Sequence, residues 1–300
     1  NTPKILVVGD SFTMGVLVRE EHTFVQQFQK MADNSLGAKR VQFLNGGFGG
    51  WGTSDYLAFM EEFGDEIEPT AVVVFLNTDD IGRSINSALY VLDNNSEYDL
   101  LKRKIEKSSI AKIKETVNHL PLYNWFLEHS HLIQICRISL LKVLKREIFV
   151  EEVKCRPGPP TSKNKMADPE YVRTFGRALF RRLNTWCKNH RASLFVVTTG
   201  WNGFYPLNEW ADLNEPTAIF LEESERIFKE EDIPFFDLAR DIDETTFEKR
   251  ASYMIPGDGH PNEAGHQLIA ELAWKWLSPK LEKILELDAK KDVYRQGKDF

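Results

Sequence analysis

Two stretches near opposite ends of the 300-residue chain hold residue types suited to nucleophilic acyl transfer. Gly9-Asp10-Ser11-Phe12-Thr13-Met14-Gly15 presents a hydroxyl directly after the apolar run Lys4 to Val8. Pro256-Gly257-Asp258-Gly259-His260-Pro261-Asn262 presents an imidazole two residues after a carboxylate. A serine hydroxyl is a weak nucleophile until a base takes its proton; an imidazole does this, and a carboxylate on its far side fixes the tautomer. Each residue also has a plainer reading. Asp-Ser is ordinary helix-capping chemistry, a histidine before a Pro-started helix is commonly a cap, and Asp in a Gly-rich turn often bonds its own backbone. His266, inside the next helix, reads as a packing residue.

Two further segments could supply donors to a developing oxyanion. Asn45-Gly46-Gly47-Phe48-Gly49-Gly50-Trp51-Gly52-Thr53-Ser54 is glycine-rich, so its backbone can approach a ligand and offer unblocked amides, Gly50 among them. Asn77-Thr78-Asp79-Asp80 offers one side-chain amide, at Asn77. The aromatics Trp51, Trp201, Phe204, Tyr205 and Trp210 could form a rim suited to a sugar ring or an apolar acyl group, or could pack a long loop.

These segments need strand ends to hold them. Lys4 to Val8, Val41 to Leu44, Ala71 to Leu76, Leu194 to Val197 and Pro234 to Phe236 are short apolar runs of buried-strand type. Helical patterns separate most of them, at Thr23 to Ala32, Ser54 to Phe63, Tyr171 to Asn189 and Glu215 to Glu230. Strands alternating with helices predict an α/β fold: three α/β/α layers around a flavodoxin-like parallel five-stranded sheet. Such sheets bind ligands beyond the carboxyl ends of their strands, where all four segments fall. The alternation fails from about 83 to 168, which predicts a helical insertion in a single domain spanning 1–300. A charged tail from about 288 to 300 is expected to be a solvated helix or disordered.

GDSFTMG, NGGFGGWGTS, FLNTDD and DGHPNEAGH, in that order and each at a strand end, resemble the blocks of the SGNH/GDSL-like hydrolase superfamily. The resemblance spans the chain apart from the insertion. It implies that Ser11 is the nucleophile, that the amides of Ser11 and Gly50 serve the oxyanion hole, and that His260 is the base. Two positions depart from the pattern. The family's third block carries an asparagine donor where this chain has Asp79, and a carboxylate accepts hydrogen bonds and repels an oxyanion. Asn77 is therefore expected to turn in as the substitute, the alternative being a hole of two backbone donors. The family's acid stands three residues before the histidine, where this chain has Gly257, and Asp258 is the expected orienting acid. Asp10, Trp51, Trp201 and Phe204 are the expected substrate contacts.

The implied activity is a serine esterase on small acyl esters, with carbohydrate O-acetyl groups preferred and no metal or organic cofactor. Three rivals remain: an O-acyltransferase to a polysaccharide on the same site, a catalytically silent glycan-binding module, and a flavodoxin-like nucleotide or flavin binder. The last leaves the DGHPN segment without a role. A net charge of -7 offers nucleic acid no general attraction. No run approaches the roughly 20 apolar residues of a membrane span. Compartment stays open, extracytoplasmic if a leader or anchor has been removed, and the oligomeric state is not encoded. Cys136, Cys155 and Cys187 lack the close spacing of a zinc site and leave room for one disulfide at most.

Overall fold

The computed structural model describes residues 2–37, 40–77, 79–93, 99–103, 168–198, 216–242 and 249–296. In chain order the strands are β1 (Lys4–Gly9), β2 (Gln42–Gly47), β3 (Ala71–Leu76), β4 (Tyr90–Leu92), β5 (Leu100–Lys102), β6 (Ser193–Thr198) and β7 (Phe235–Asp237). The helices are α1 (Ser11–Met14), α2 (Phe24–Ser35), α3 (Thr53–Ile67), α4 (Asp80–Ser87), α5 (Pro169–Asn189), α6 (Pro216–Leu221), α7 (Ser224–Glu230) and α8 (Glu263–Gln296).

Five strands form one parallel sheet in the order β2-β1-β3-β6-β7. Successive side chains leave a strand on opposite faces, so each strand feeds two cores. Leu6, Val8, Val72, Val74, Leu76, Leu194 and Val196 face Tyr56, Leu57 and Met60 of α3 and Phe175, Leu179 and Leu183 of α5. Ile5, Val7, Val73, Phe75, Phe195 and Val197 face Phe24 and Phe28 of α2 and Ile269, Ala273 and Leu277 of α8. Burial on both faces explains why β3 reads as an unbroken apolar run, AVVVFL. The chain goes from β1 outward to β2 and returns past β1 to β3, so direction reverses between β1 and β3. A crevice at their carboxyl ends is the usual ligand position of such a sheet.

Local signals set the helix starts. The Thr23 hydroxyl accepts from the Gln26 amide at the head of α2, and Asp168 caps α5, whose first residue is Pro169. Two details differ from the sequence expectation. The stretch after β3 begins as α4 and continues into an antiparallel hairpin of β4 and β5, so Arg83 belongs to a helix beside the sheet rather than opening an insertion. Charge is the reason: Arg83 pairs with Asp79 one turn earlier and with Asp10. The helix expected over Glu215 to Glu230 is broken into α6 and α7, where Glu222 and Glu223 meet Arg173. At the carboxyl end α8 runs on to Gln296. The unit described combines Asn1–Lys102 with Asn164–Phe300; most of the expected insertion, with Cys136 and Cys155, lies outside the described residues. Cys187 is a buried free thiol. Among the described residues no helix is long and apolar enough to cross a membrane.

Candidate active site

Ser11 leaves β1 as the first residue of α1. Asp10 caps that turn, its Oδ1 accepting from the Phe12 amide at 2.9 Å. Close packing fixes α1 over the ends of β1 and β2. A Cβ on Gly47 would fall 2.3 Å from the Met14 nitrogen and 2.6 Å from the Thr13 carbonyl carbon, so only glycine lets the two backbones meet. Asn45 adds a hydrogen bond from Nδ2 to the Thr13 carbonyl at 2.9 Å.

His260 reaches Ser11 from the turn before α8. The Ile255 amide donates to the His260 carbonyl at 2.7 Å, and the Asp258 amide donates to the Ile255 carbonyl at 3.1 Å, closing a compact loop. Gly257 and Gly259 lie at φ +75° and +84°, left-handed angles that side chains disfavour, and they bracket Asp258. The loop brings Asp258 Oδ1 onto His260 Nδ1 and sets His260 Nε2 2.8 Å from Ser11 Oγ. A carboxylate only accepts, so Nδ1 carries the ring hydrogen and Nε2 is left to accept from the Ser11 hydroxyl. Three residues separated by up to 249 positions thus form a continuous hydrogen-bonded chain. The Phe12 ring packs at 5.4 Å from the imidazole.

Beside the hydroxyl lies the loop after β2. A Cβ on Gly49 would stand 3.8 Å from Ser11 Cβ, and Gly50 turns at φ +83° with open space around it. Among the described residues neither the Ser11 nor the Gly50 amide has a hydrogen-bond partner.

The loop after β3 corrects one expectation. Asn77 Nδ2 donates one of its two hydrogens to Asp10 Oδ2 at 3.0 Å, which holds the amide beside the cap of the Ser11 turn. Asp10 is no substrate contact. It is 1% exposed, and its oxygens accept from Phe12, Asn77 and Arg83. Asp79 points outward, 54% exposed, onto Arg83. Asp80 is fully buried, accepting from the Asn77 amide and the Tyr56 hydroxyl. Burial, and then the Asp10 charge, push its carboxyl well above the usual carboxylate range.

Trp51 is half-buried against Phe59 of α3, with ring centroids 5.5 Å apart. The exposed aromatic on this loop is Phe48, at 54%, which packs on Trp51. Trp201 and Phe204 lie outside the described residues. His266 packs inside, stacked on Phe24 and accepting from the Phe24 amide through Nδ1 at 3.2 Å.

Comparison with known proteins accords with this arrangement. Residues 7–268 match the model of the GDSL-like Lipase/Acylhydrolase family. No curated protein sequence matches the chain. Among solved structures, LAE5, an alpha/beta hydrolase from the metagenome of Lake Arreo, Spain, is 12% identical with a TM-score of 0.50, covering 91% of this chain and 94% of its own. A variant of Axe2, an acetyl-xylooligosaccharide esterase of Geobacillus stearothermophilus, is 16% identical with a TM-score of 0.50, covering 91% of this chain and 93% of its own. At these identities the likeness is one of fold.

Proposed function

The chain belongs to the GDSL-like lipase/acylhydrolase family and is a carboxylic ester hydrolase, and from that premise we propose that it acts through an acyl-enzyme on Ser11 and prefers O-acetyl groups on carbohydrates. The observation that carries the mechanism is the hydrogen-bonded chain Asp258–His260–Ser11. As Ser11 Oγ bonds to the ester carbonyl carbon, its proton passes to His260 Nε2 and the carbonyl π electrons move onto oxygen. Asp258 stabilises the imidazolium without taking its proton. The unpartnered amides of Ser11 and Gly50 receive the oxyanion as two backbone donors. Collapse breaks the bond to the alkoxy oxygen, which leaves with the proton from His260. Water then attacks the acyl-enzyme by the same route, His260 acting again as base.

Support for a sugar ester comes from the exposed Phe48 ring, a flat surface in the loop that touches Ser11. The fold shared with an acetyl-xylooligosaccharide esterase agrees with this preference. Met14 favours a second reading, a longer acyl chain: it is 47% exposed, with its sulfur 3.9 Å from the Cβ position of Gly49.

Hydrolysis of p-nitrophenyl acetate by the parent and by Ser11→Ala tests the mechanism; a Ser11→Ala protein with parent turnover removes Ser11 from the reaction. Acetate release from acetylated xylo-oligosaccharides, set against p-nitrophenyl octanoate cleavage, tests the substrate. A higher kcat/KM on octanoate replaces the sugar reading with the acyl-chain one.

A further inference from the structure

Arg83, which the family pattern leaves without a role, projects from α4 with its side chain 30% exposed. Its contacts reach all three loops on the oxyanion side of Ser11. Nη1 donates to Asp10 Oδ2 at 3.0 Å, and Asp10 caps the turn that begins with Ser11. The same nitrogen donates to the carbonyl of Trp51, the residue after Gly50, at 3.1 Å. Nη2 donates to Asp79 Oδ2 at 2.9 Å, and Asp80 Oδ1 lies 3.7 Å from Nη1. The backbone leaves no slack: a Cβ on Gly52 would come within 3.0 Å of Arg83 Cβ and 2.4 Å of the Asp80 carbonyl oxygen.

We propose that Arg83 is the positioning residue of the oxyanion hole, its guanidinium tying the loops after β1, β2 and β3 together and neutralising Asp79. The proposal rests on Ser11 being the nucleophile. Its physical basis is the planar fork of the guanidinium, which holds several acceptors in fixed directions where an ammonium is a single point charge. Asp79 occupies the position where the family pattern has an amide donor. Asp79 points outward and is partly screened by solvent, yet its charge on that loop still disfavours an oxyanion, and the Arg83 guanidinium offsets it. In this structure that cation comes from one turn further along the same helix.

The role differs from general stabilisation in what it predicts. Loss of the clamp acts on the transition state, so turnover falls while KM holds. We expect Arg83→Gln to lower kcat on p-nitrophenyl acetate by about tenfold or more, with KM within about twofold, when kcat is expressed per site titrated by a serine-directed phosphonate. Adding Asp79→Asn to Arg83→Gln removes the unneutralised charge and should recover part of that turnover, the rest being owed to the lost fork. If Arg83→Gln does not fold, Arg83→Lys keeps the charge but not the fork, and a smaller loss of kcat per titrated site, the share owed to the fork, is expected. Parent kcat per titrated site in either variant overturns the proposal, as does a loss that Asp79→Asn leaves unchanged in the Arg83→Gln background. Peptide mapping of the phosphonate label separates this failure from the other one: a label away from Ser11 overturns the nucleophile assignment and the proposal with it, whereas a label on Ser11 beside normal Arg83 variants overturns the proposal alone.

Discussion

His266 should make the protein acid-sensitive by a calculable amount, and His266→Asn should abolish that sensitivity. The imidazole is 1% exposed, accepts from the Phe24 amide through Nδ1, and has no partner for Nε2 among the described residues. Since a backbone amide only donates, the ring is held neutral with its hydrogen on Nε2. Burial, with a smaller part from the His260 charge, lowers its pKa from 6.5 to about 4. An unfolded chain titrates this group near 6.5, so between roughly pH 6.5 and 4 the unfolded state binds the extra proton and stability falls as pH falls. From the two values, His266 accounts for about 2 kcal/mol of loss at pH 5 and about 3 kcal/mol at pH 4. Asparagine retains an acceptor near the Nδ1 position and does not titrate. It also removes ring contacts with Phe24, so the variant starts less stable at pH 7 by about 1–3 kcal/mol. Urea unfolding of both proteins at pH 7, 6, 5 and 4.5 measures the difference. The gap between them should close as the pH drops, and curves that stay parallel would refute the account of His266 as a buried neutral cap.

Asp258→Asn should keep the fold and reduce kcat on p-nitrophenyl acetate by about 10³–10⁴, because the amide no longer stabilises the imidazolium; unchanged turnover with a lowered Tm would leave a Ser11 and His260 dyad. Phe48→Ala should raise KM for an acetylated oligosaccharide several-fold while p-nitrophenyl acetate kinetics hold, and equal effects on both esters would remove Phe48 from substrate contact. Gly64→Ala places a methyl 2.2 Å from the Trp186 ring in the contact between α3 and α5, so thermal unfolding should show a loss of about 1–3 kcal/mol with kcat per titrated site unchanged.

Much of this architecture is legible in the sequence because burial on both faces of a parallel sheet leaves a mark in every strand. Runs such as KILVV and AVVVFL, short and rich in β-branched residues, read as buried strands, and they place Ser11 and Asn77 at adjacent strand ends. Asp258 is legible for a different reason, since flanking glycines announce a turn tight enough to fold the acid back onto His260. Arg83 leaves no such mark. Two of its partners lie 73 and 32 residues away, and its pair with nearby Asp79 reads by itself as solvated helix surface. What holds Asn77 is illegible for a related reason: its amide donates to Asp10, and burial of a charged residue is decided by packing, not by local pattern. The hairpin of β4 and β5 is too short to display a period.

The separation of Ser11 from His260 by 249 positions also has a consequence in time. Synthesis runs from the amino end, so the nucleophile, its capping Asp10 and the Gly50 loop are made long before their base. His260 in turn depends on α8, the helix that anchors its loop by packing on α2 and accepting the Phe24 amide through His266. A growing chain therefore carries an inert serine and gains its chemistry only when the last helix docks. Reactivity toward a phosphonate becomes a clock for the completion of folding, and in a refolding experiment it should appear with the slowest phase rather than with the first helix signal.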